Sequence, residues 1–251
     1  MPSKQNASAH KELMKKLAGM YGLGFAVVAV VAMVVAGVGS RLEFWSFRTG
    51  FTILSGSAYL ALFAAFISAV ALIYSAVVRS GVGGLMAACG LALGLAAAWV
   101  PWSWLQTAKS VPPIHDITTD TEHPPQFVAI LPLRKDALNP VEYGGPEVAA
   151  QQHSAYPDLA PARLSVSPDE AFDRALKAAE GLGWRIVAAD RAAMRIEAVD
   201  TTRWFGFKDD IVIRITPDDK QVRVDIRSLS RVGKSDVGTN AKRIRKFLER
   251  L

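Results

Sequence analysis

Three long runs without a charged residue constrain the fold of this chain more than any other feature. They are Leu17–Ser40, Thr49–Val78 and Ser80–Ala108, with 24, 30 and 29 residues. An α-helix needs about 20 apolar residues to cross the hydrocarbon core of a bilayer, and a spanning segment must satisfy its backbone hydrogen bonds internally. Buried helices of a soluble protein are the alternative, which three such runs in succession disfavour. We therefore predict a transmembrane region over residues 1–108, with helices near 21–40, 52–78 and 82–104.

The basic residues beside these helices predict the orientation of the chain. The N-terminal tail carries four lysines and the second connection carries Arg79, whereas the opposite side carries Arg41, Arg48 and Lys109. Cytoplasmic loops collect Lys and Arg. The N-terminus is therefore expected in the cytoplasm and the C-terminal domain outside it, in the periplasm of a Gram-negative cell. We expect a multi-pass protein of the inner membrane, with the lipid bilayer as its first partner.

The first run has a second interpretation as a cleavable signal peptide over Lys11–Ser40. The small residues Ala36, Gly37 and Gly39 at its end would suit a cleavage site. Its apolar stretch is longer than the roughly 7–15 residues of a signal sequence, so we expect an uncleaved anchor. Both interpretations leave the C-terminal domain outside the cytoplasm.

The membrane region carries small residues but no ionisable ones. Ionisable residues inside a membrane mark ion and proton pathways, so their absence from the three runs argues against a self-contained pump or transporter. Stripes of small residues let helices approach closely. They serve packing within the bundle, which we favour, or formation of a homo-oligomer. The stripes are Gly90, Gly94 and Ala98 on the third helix, and Ser57, Ala61, Ala65 and Ala69 on the second.

Residues 109–161 form a Pro-rich segment between the membrane region and a regular domain. Repeated X-Pro pairs favour extended backbone and disfavour regular helix. Apolar residues such as Ile114, Phe127 and Ile130 make the segment too apolar for a flexible tether. We expect it to lie along the following domain or along the membrane surface.

Residues 162–251 show the pattern of an α+β domain. Ser167 followed by Pro168 and two acidic residues predicts a helix start. Alternation over residues 211–215 and 222–226 predicts a β-hairpin with one buried face. The predicted order is β-α-β-β-β-β-α, an antiparallel sheet with two helices packed on it. This order resembles that of helix-grip domains, some of which hold apolar ligands.

The net charge of +6 does not indicate a nucleic-acid-binding protein. Residues 1–108 hold seven Lys and Arg against two acidic residues, while residues 109–251 hold 22 against 21. A nucleic-acid-binding protein would present a concentrated basic face, so no nucleic-acid partner is expected.

The sequence also predicts neither a metal nor a cofactor. Cys89 is the single cysteine, which excludes a disulfide framework and a cysteine zinc site. A group of potential ligands in the Pro-rich segment lacks any recognised metal spacing. Its members are His115, Asp116, Asp120, Glu122 and His123.

Two connections of the α+β domain could bind a ligand. Thr201–Asp210 contains Trp204, Phe205 and Phe207, whose rings either pack under the sheet, which we favour, or enter lipid or a hydrophobic partner.

The connection Arg227–Asn240 places basic side chains, hydroxyls and glycine amides before a helix N-terminus, which suits an anion. In the simpler interpretation, which we favour, Asp236 or Thr239 caps the helix and Arg227 pairs with a carboxylate such as Asp225.

Three stretches of the sequence resemble the family catalogued as domain of unknown function 1499. They are Ile114–Asp120, Thr202–Ile211 and Asp225–Ile244, of which the last is the most specific. The resemblance covers about residues 110–251. It implies a place in a membrane or envelope, since the family occurs in bacterial membrane and envelope proteins and in plant plastids. It implies no activity, cofactor or catalytic residue.

These features favour a non-enzymatic protein that presents an extracytoplasmic domain to a partner protein or to an anionic or amphipathic ligand in the cell envelope. One alternative is an enzyme acting on a lipid or cell-wall substrate, with Asp116, Asp209 or Asp210 as acid or base. Another is an accessory subunit of an envelope transporter. The predicted binding residues are Arg203, Trp204, Asp209, Asp210, Arg227, Ser228, Arg231, Ser235, Asp236 and Asn240.

Overall fold

The computed structural model describes the backbone of residues 4–251 and the side chains of residues 16, 17 and 19–251. The chain forms two compact units. One comprises Met1–Gln106 with Trp204–Gly206, and the other comprises Thr107–Arg203 with Phe207–Leu251. We call them the helical unit and the α+β unit. Three of the four lysines used to predict the orientation, Lys4, Lys11 and Lys15, have side chains outside the described residues.

The helical unit is built from three helices: α1 (Lys4–Arg41), α2 (Phe47–Val77) and α3 (Gly81–Ser110). Each contains a stretch long and apolar enough to cross a membrane, and in α1 this stretch is Gly19–Arg41. The three predicted apolar helices are therefore confirmed, with α3 longer than predicted. It continues through Pro101 to Ser110.

Small residues form the contacts between the three helices. The Ser68 hydroxyl lies where a side-chain carbon on either Gly22 of α1 or Gly90 of α3 would stand. A side-chain carbon on Gly94 would lie 2.8 Å from the carbonyl oxygen of Ala61 on α2. Most residues of both stripes are thus buried within one copy of the helical unit, which supports a role in packing. The buried ones are Ser57, Ala61, Ala65, Gly90 and Gly94.

Trp204–Gly206 pack among the three helices. The Trp204 ring lies edge-to-face on Trp104 with centroids 5.3 Å apart, and the Phe205 ring lies 5.0 Å from that of Phe51. Gly206 has φ +72°, and a side-chain carbon there would lie 3.0 Å from Cα of Arg41. The expectation that Trp204 and Phe205 fill the core under the sheet is therefore wrong, because the loop that carries them belongs to the helical unit.

The α+β unit contains one six-stranded antiparallel sheet. Its strands are β1 (Asp116–Thr118), β2 (Ala162–Leu164), β3 (Arg185–Asp190), β4 (Arg195–Thr201), β5 (Lys208–Asp218) and β6 (Gln221–Ser230). The spatial order is β1-β6-β5-β4-β3, and β2 also pairs with β6. Three helices accompany the sheet: α4 (Gly145–Ala155), α5 (Pro168–Gly181) and α6 (Thr239–Leu248). From residue 162 onward the order is the predicted β-α-β-β-β-β-α.

The main hydrophobic core lies between one face of the sheet and helices α5 and α6. Phe172 of α5 and Phe247 of α6 are buried against isoleucines of β4, β5 and β6. Trp184 stacks on Phe247, with ring centroids 5.7 Å apart. Helix α5 begins as predicted, because the Ser167 hydroxyl accepts a hydrogen bond from the Glu170 amide at 3.2 Å.

The Pro-rich segment is more regular than predicted. It contains β1, a 3-10 turn (Leu131–Arg134) and the eleven-residue helix α4. The expectation that proline prevents regular helix here is wrong, because Pro146 occupies the first turn of α4, where its missing N–H removes no helical hydrogen bond. Gln152 of α4 bonds both the amide and the carbonyl of Thr118, at 3.0 and 2.7 Å, and so covers the edge of β1.

Candidate binding surface

The face of the sheet opposite α5 and α6 is rich in buried charge. Glu197, Asp210, Asp225 and Arg227 on β4, β5 and β6 are fully buried there, and Asp116 on β1 is nearly so. We call these five residues the charged layer. A buried charge is tolerated only when it is paired and hydrogen-bonded. Many of the partners of this layer belong to the chain segment that lies over it, so these bonds hold that segment against the sheet.

Arg227 is the centre of the charged layer. Its guanidinium binds both carboxylate oxygens of Asp116, at 2.9 and 2.7 Å, and donates to the carbonyls of Pro125 and Val141 at 3.2 and 2.7 Å. Arg227 thus pairs with a carboxylate as predicted, but the carboxylate is Asp116 and not Asp225, which was named as an example. Burial raises the pKa of Asp116, against the opposing effect of the Arg227 hydrogen bonds and charge. We call residues 125–141, which lie over this face of the sheet, the covering segment. Through the carbonyls of Pro125 and Val141, Arg227 attaches both ends of this segment to β6.

Asp210 anchors the middle of the covering segment. It accepts hydrogen bonds from Arg134 and from Arg231, whose Nη2 lies 2.7 Å from Oδ1. Arg231 also donates to the carbonyl of Leu133 at 2.7 Å, and Arg134 donates to the carbonyl of Asn139 at 2.8 Å. Two arginines therefore tie residues 133–139 to one carboxylate on β5.

Glu197 holds three consecutive backbone amides. Its carboxylate accepts from the N–H groups of Val128, Ala129 and Ile130 at 2.9–3.1 Å, and from Nε of Arg195 at 3.0 Å. Sequence reasoning did not select Glu197. The only signal was an acidic residue inside a strand between apolar neighbours, which is uncommon in a buried position.

A second group of ion pairs closes the other end of this face. Arg214 and Arg223 each contact both Asp120 and Asp225, at 2.7–3.0 Å. Asp120 also accepts from the amide of His123 at 2.8 Å. Burial, the largest single effect, would raise the pKa of Asp120, but this hydrogen bond and the two arginines together lower it.

Above the charged layer, residues 127–138 direct apolar side chains both inward and outward. Phe127 and Ile130 are buried in a small second core with Val212 and Leu229. Within residues 107–251, the large apolar side chains that are exposed all belong to this stretch. They are Val128, Leu131, Leu133 and Leu138, at 49, 45, 42 and 63% exposure. We call these four residues the apolar strip.

A polar network lies under α6 on the helical face of the sheet. Arg243 donates to Asp209 at 2.6 Å and to the Ser228 hydroxyl at 3.1 Å. Asn240 accepts from the Ser228 hydroxyl at 2.8 Å and bonds the Ser230 hydroxyl at 3.0 Å. Burial raises the pKa of Asp209, against the opposing charge of Arg243. Arg243 was absent from the predicted site although it is central to the network.

The loop before α6 is closed by its own side chains. Asp236 accepts from the amides of Gly238 and Asn240 at 2.8 and 2.9 Å, and its pKa is raised by burial. Ser235 accepts from the Val237 amide at 3.1 Å. Asp236 therefore occupies the helix N-terminus at which an external anion would bind.

The ten predicted binding residues do not lie together. Asp209, Ser228, Asp236 and Asn240 lie under or beside α6, whereas Asp210, Arg227 and Arg231 lie on the opposite face of the sheet. Trp204 belongs to the helical unit. Arg203 is exposed on the β4–β5 connection, and Ser235 bonds within its own loop.

The three carboxylates considered as acid or base are all paired with arginine. Asp116 is paired with Arg227, Asp209 with Arg243, and Asp210 with Arg134 and Arg231. Each of these carboxylates is buried and occupied by guanidinium donors, so the pairing counts against a free acid or base at these positions. Across the described part of the chain, no three His, Cys, Asp or Glu side chains are grouped to hold a metal ion.

Comparison with known proteins agrees with the three motif stretches. The family model described as protein of unknown function (DUF1499) matches residues 116–251, more than half of the chain. The chain belongs to this family. The DUF1499 match spans the charged layer, the apolar strip and the network under α6. No curated protein and no solved structure matches the chain.

Proposed function

We propose that this DUF1499 protein is a multi-pass, non-catalytic protein of the cell envelope whose α+β domain lies outside the cytoplasm and binds the bilayer surface through the apolar strip. The observation that carries the proposal is the confinement of exposed large apolar side chains in residues 107–251 to Val128, Leu131, Leu133 and Leu138. Exposed apolar patches of this kind mark protein or membrane contacts.

The strip has the chemistry of a shallow membrane contact. Burying a Leu or Val side chain fully is worth about 1.5–3 kcal/mol, so four half-exposed side chains together supply several kcal/mol. Lys135 lies exposed between them, and a lysine can place its ammonium at the headgroups while its stem covers apolar surface. Glu197 accepts from the Ala129 amide, and Arg231, which Asp210 holds, donates to the Leu133 carbonyl. These bonds fix the backbone of the strip, which lowers the entropy lost on binding.

A lipid surface is favoured over a protein partner because the domain is covalently tethered to three candidate membrane spans. Tethering makes binding to the bilayer intramolecular, so weak apolar contacts are enough. A protein partner of the envelope is the other occupant that the test distinguishes.

The proposal is tested by measuring the depth of the strip in liposomes. Full-length protein with Cys89→Ala and Leu133→Cys is labelled with an environment-sensitive fluorophore and reconstituted with brominated lipids. We expect a blue-shifted emission and roughly twofold quenching, as for side chains inserted at the acyl-chain boundary. The matched control is Lys177→Cys on the exposed side of α5, where no quenching is expected.

The outcomes separate the two occupants. The same measurement is made with single cysteines at positions 128, 131 and 138, and absence of quenching at all four strip positions would overturn the lipid contact. If the same positions crosslinked to an envelope protein in cells without lipid quenching, the strip would be a protein-docking surface and the proposal would be wrong.

A further inference from the structure

Strand β3 lies at the edge of the sheet. It comes last in the spatial order and pairs with β4 alone. Part of the opposite edge is covered, because Gln152 of α4 bonds the amide and the carbonyl of Thr118. Among the described residues, no backbone group bonds to the outer side of β3. An open edge carries amides and carbonyls that can pair with another strand.

The register of the neighbouring strands shows which groups of β3 point outward. The Ile215 amide donates to the Met194 carbonyl at 2.9 Å. Alternate residues of a strand bond to opposite neighbours, so the even-numbered residues of β4 bond to β5 and the odd-numbered ones to β3. Ile186 and Ala189 of β3 both lie opposite even-numbered residues of β4. Their own N–H and C=O groups therefore point to the open side.

A bulge places the two charged ends of β3 on the same face of the sheet. The register with β4 skips Val187. Successive residues of a strand point to opposite faces, so Arg185 and Asp190, five positions apart, would otherwise lie on different faces. Both oppose odd-numbered residues of β4, as does Ala188, which lies opposite Glu197 of the charged layer. Arg185 and Asp190 therefore lie on the face of that layer.

Both charged side chains are accessible to a partner. Arg185 is exposed and makes no hydrogen bond or ion pair among the described residues. The side chain of Asp190 is 46% exposed. Its Oδ1 accepts from the Ala193 amide at 3.0 Å, whereas its Oδ2 lies 3.7 Å from Arg195. That separation is longer than a hydrogen bond, so Oδ2 can accept from another arginine.

We propose that β3 pairs with the β3 strand of a second copy of this chain, antiparallel and with Arg185 opposite Asp190 of the second copy. The same register places Ile186 opposite Ala189 of the second copy, so the outward N–H and C=O groups of these residues bond each other. The two-fold axis passes between residues 187 and 188, and every contact occurs twice.

A second copy fits this edge better than an unrelated strand does. Charged residues and bulges on an edge strand normally prevent pairing. Here the two charges are opposite in sign and the bulge lies between them, so the same strand running in the opposite direction matches both features. Opposite charges directly across from each other favour strand pairing.

The pairing is also compatible with two copies in one bilayer. Its axis is perpendicular to the sheet, so both copies present their apolar strips in the same direction. Strand β3 has six residues, which makes the interface small. Confinement of both copies to one membrane through the three candidate spans raises their effective concentration and favours so short an interface.

The test reverses the charge at either end of β3. The full chain with Cys89→Ala and Lys177→Cys is labelled with a donor or an acceptor fluorophore, and both populations are reconstituted into the same liposomes at a low ratio of protein to lipid. We expect energy transfer above the level of random proximity. Arg185→Asp places acidic side chains opposite each other, and Asp190→Arg places basic ones opposite each other. Each variant alone should associate roughly tenfold more weakly than the native chain.

Mixing the two variants is the decisive measurement. A copy with Arg185→Asp faces a copy with Asp190→Arg through two pairs of opposite charge, so transfer between the variants should return to the native level. This recovery also shows that both variants are folded. Lys220→Asp, a charge reversal on the exposed β5–β6 turn, is the matched control and should leave the transfer unchanged.

Three outcomes would each overturn the proposal. The first is transfer at the random level for the native chain, which would make it a monomer. The second is native-level transfer for both single variants, which would assign association to another surface. The third is loss of transfer in the single variants without recovery on mixing.

Discussion

The carboxylate of Glu197 accepts hydrogen bonds from three successive backbone amides, a set of donors that a neutral side chain cannot satisfy. The two oxygens of a carboxylate offer about four acceptor sites, whereas glutamine replaces one oxygen with a donor. The position of Val128, at the start of the apolar strip, therefore depends on the carboxylate of one buried residue.

We expect Glu197→Gln to lower the free energy of unfolding of the α+β unit by about 2–3 kcal/mol, because it leaves buried donors unpaired. The measurement is a urea titration of the full chain. Unfolding is monitored by the ¹⁹F signal of 5-fluorotryptophan at Trp184, which is buried in the main core, and the urea midpoint is compared. Glu180→Gln on the exposed side of α5 should leave the midpoint unchanged. Equal midpoints for the two variants would contradict the anchoring role.

The lowered pKa of Asp120 predicts a pH-dependent contribution to stability. A carboxyl group whose pKa is lower in the folded state stabilises the fold above its unfolded pKa, and this contribution is lost as the pH falls through the folded pKa. The stability difference between the native chain and Asp120→Asn should therefore be constant from pH 7 to about 5, and should shrink as the pH falls below the ordinary carboxyl pKa and through the lower pKa of the folded state. Asp116, Asp209 and Asp236 have raised pKa values and act in the opposite sense, so the difference between the two proteins is the quantity to measure. A difference that grew on acidification would contradict the prediction.

At the scale of elements, the N-terminus of helix α6 is held by a side chain that lies before the helix. Sequence reasoning left Asp236 and Thr239 open as the cap. The N-cap position is Gly238, which has no side chain, and the carboxylate of Asp236 accepts from the amides of Gly238 and Asn240 in its place. We expect Asp236→Ala to lower the free energy of unfolding by about 1–2 kcal/mol and Thr239→Ala to change it by less than about 0.5 kcal/mol. Both free-energy changes are measured from the urea midpoint, again with the ¹⁹F signal of 5-fluorotryptophan at Trp184. A larger effect of Thr239→Ala would reverse the assignment.

The elements that could be predicted are those with a local signal. The alternation of Ile211, Ile213 and Ile215 predicted strand β5, and Ser167 with Pro168 predicted the start of α5. Helix α4 was missed because the surrounding prolines suggested extended backbone, and because it is stabilised by the contact of Gln152 with Thr118, 34 residues away. The ion pairs of the charged layer join residues still further apart, such as Asp116 and Arg227. No local pattern reveals such pairs.

At the scale of the whole molecule, charge has two separate uses. In residues 1–108 the basic excess lies beside the apolar helices, where we expect it to bias the orientation of the chain in a membrane. In residues 109–251 basic and acidic residues are nearly equal in number. Many of them form ion pairs with each other, some on one face of the sheet and some on the other. The charge of the α+β unit is therefore largely used to hold its covering segment and its helix α6.

The orientation proposed for the protein follows from this division and can be tested directly. Five basic residues on the N-terminal side of the helices against three on the opposite side predict a cytoplasmic N-terminus. Alkaline phosphatase fused after Leu251 should be active because it folds outside the cytoplasm, and the same enzyme fused after Arg79 should be inactive. A second variant reverses the bias of basic residues: the four N-terminal lysines are replaced with glutamine, and lysines are added beside Arg48. This variant should lower the activity of the fusion after Leu251. An inactive Leu251 fusion with an active Arg79 fusion would reverse the topology and place the apolar strip on the cytoplasmic side of the membrane.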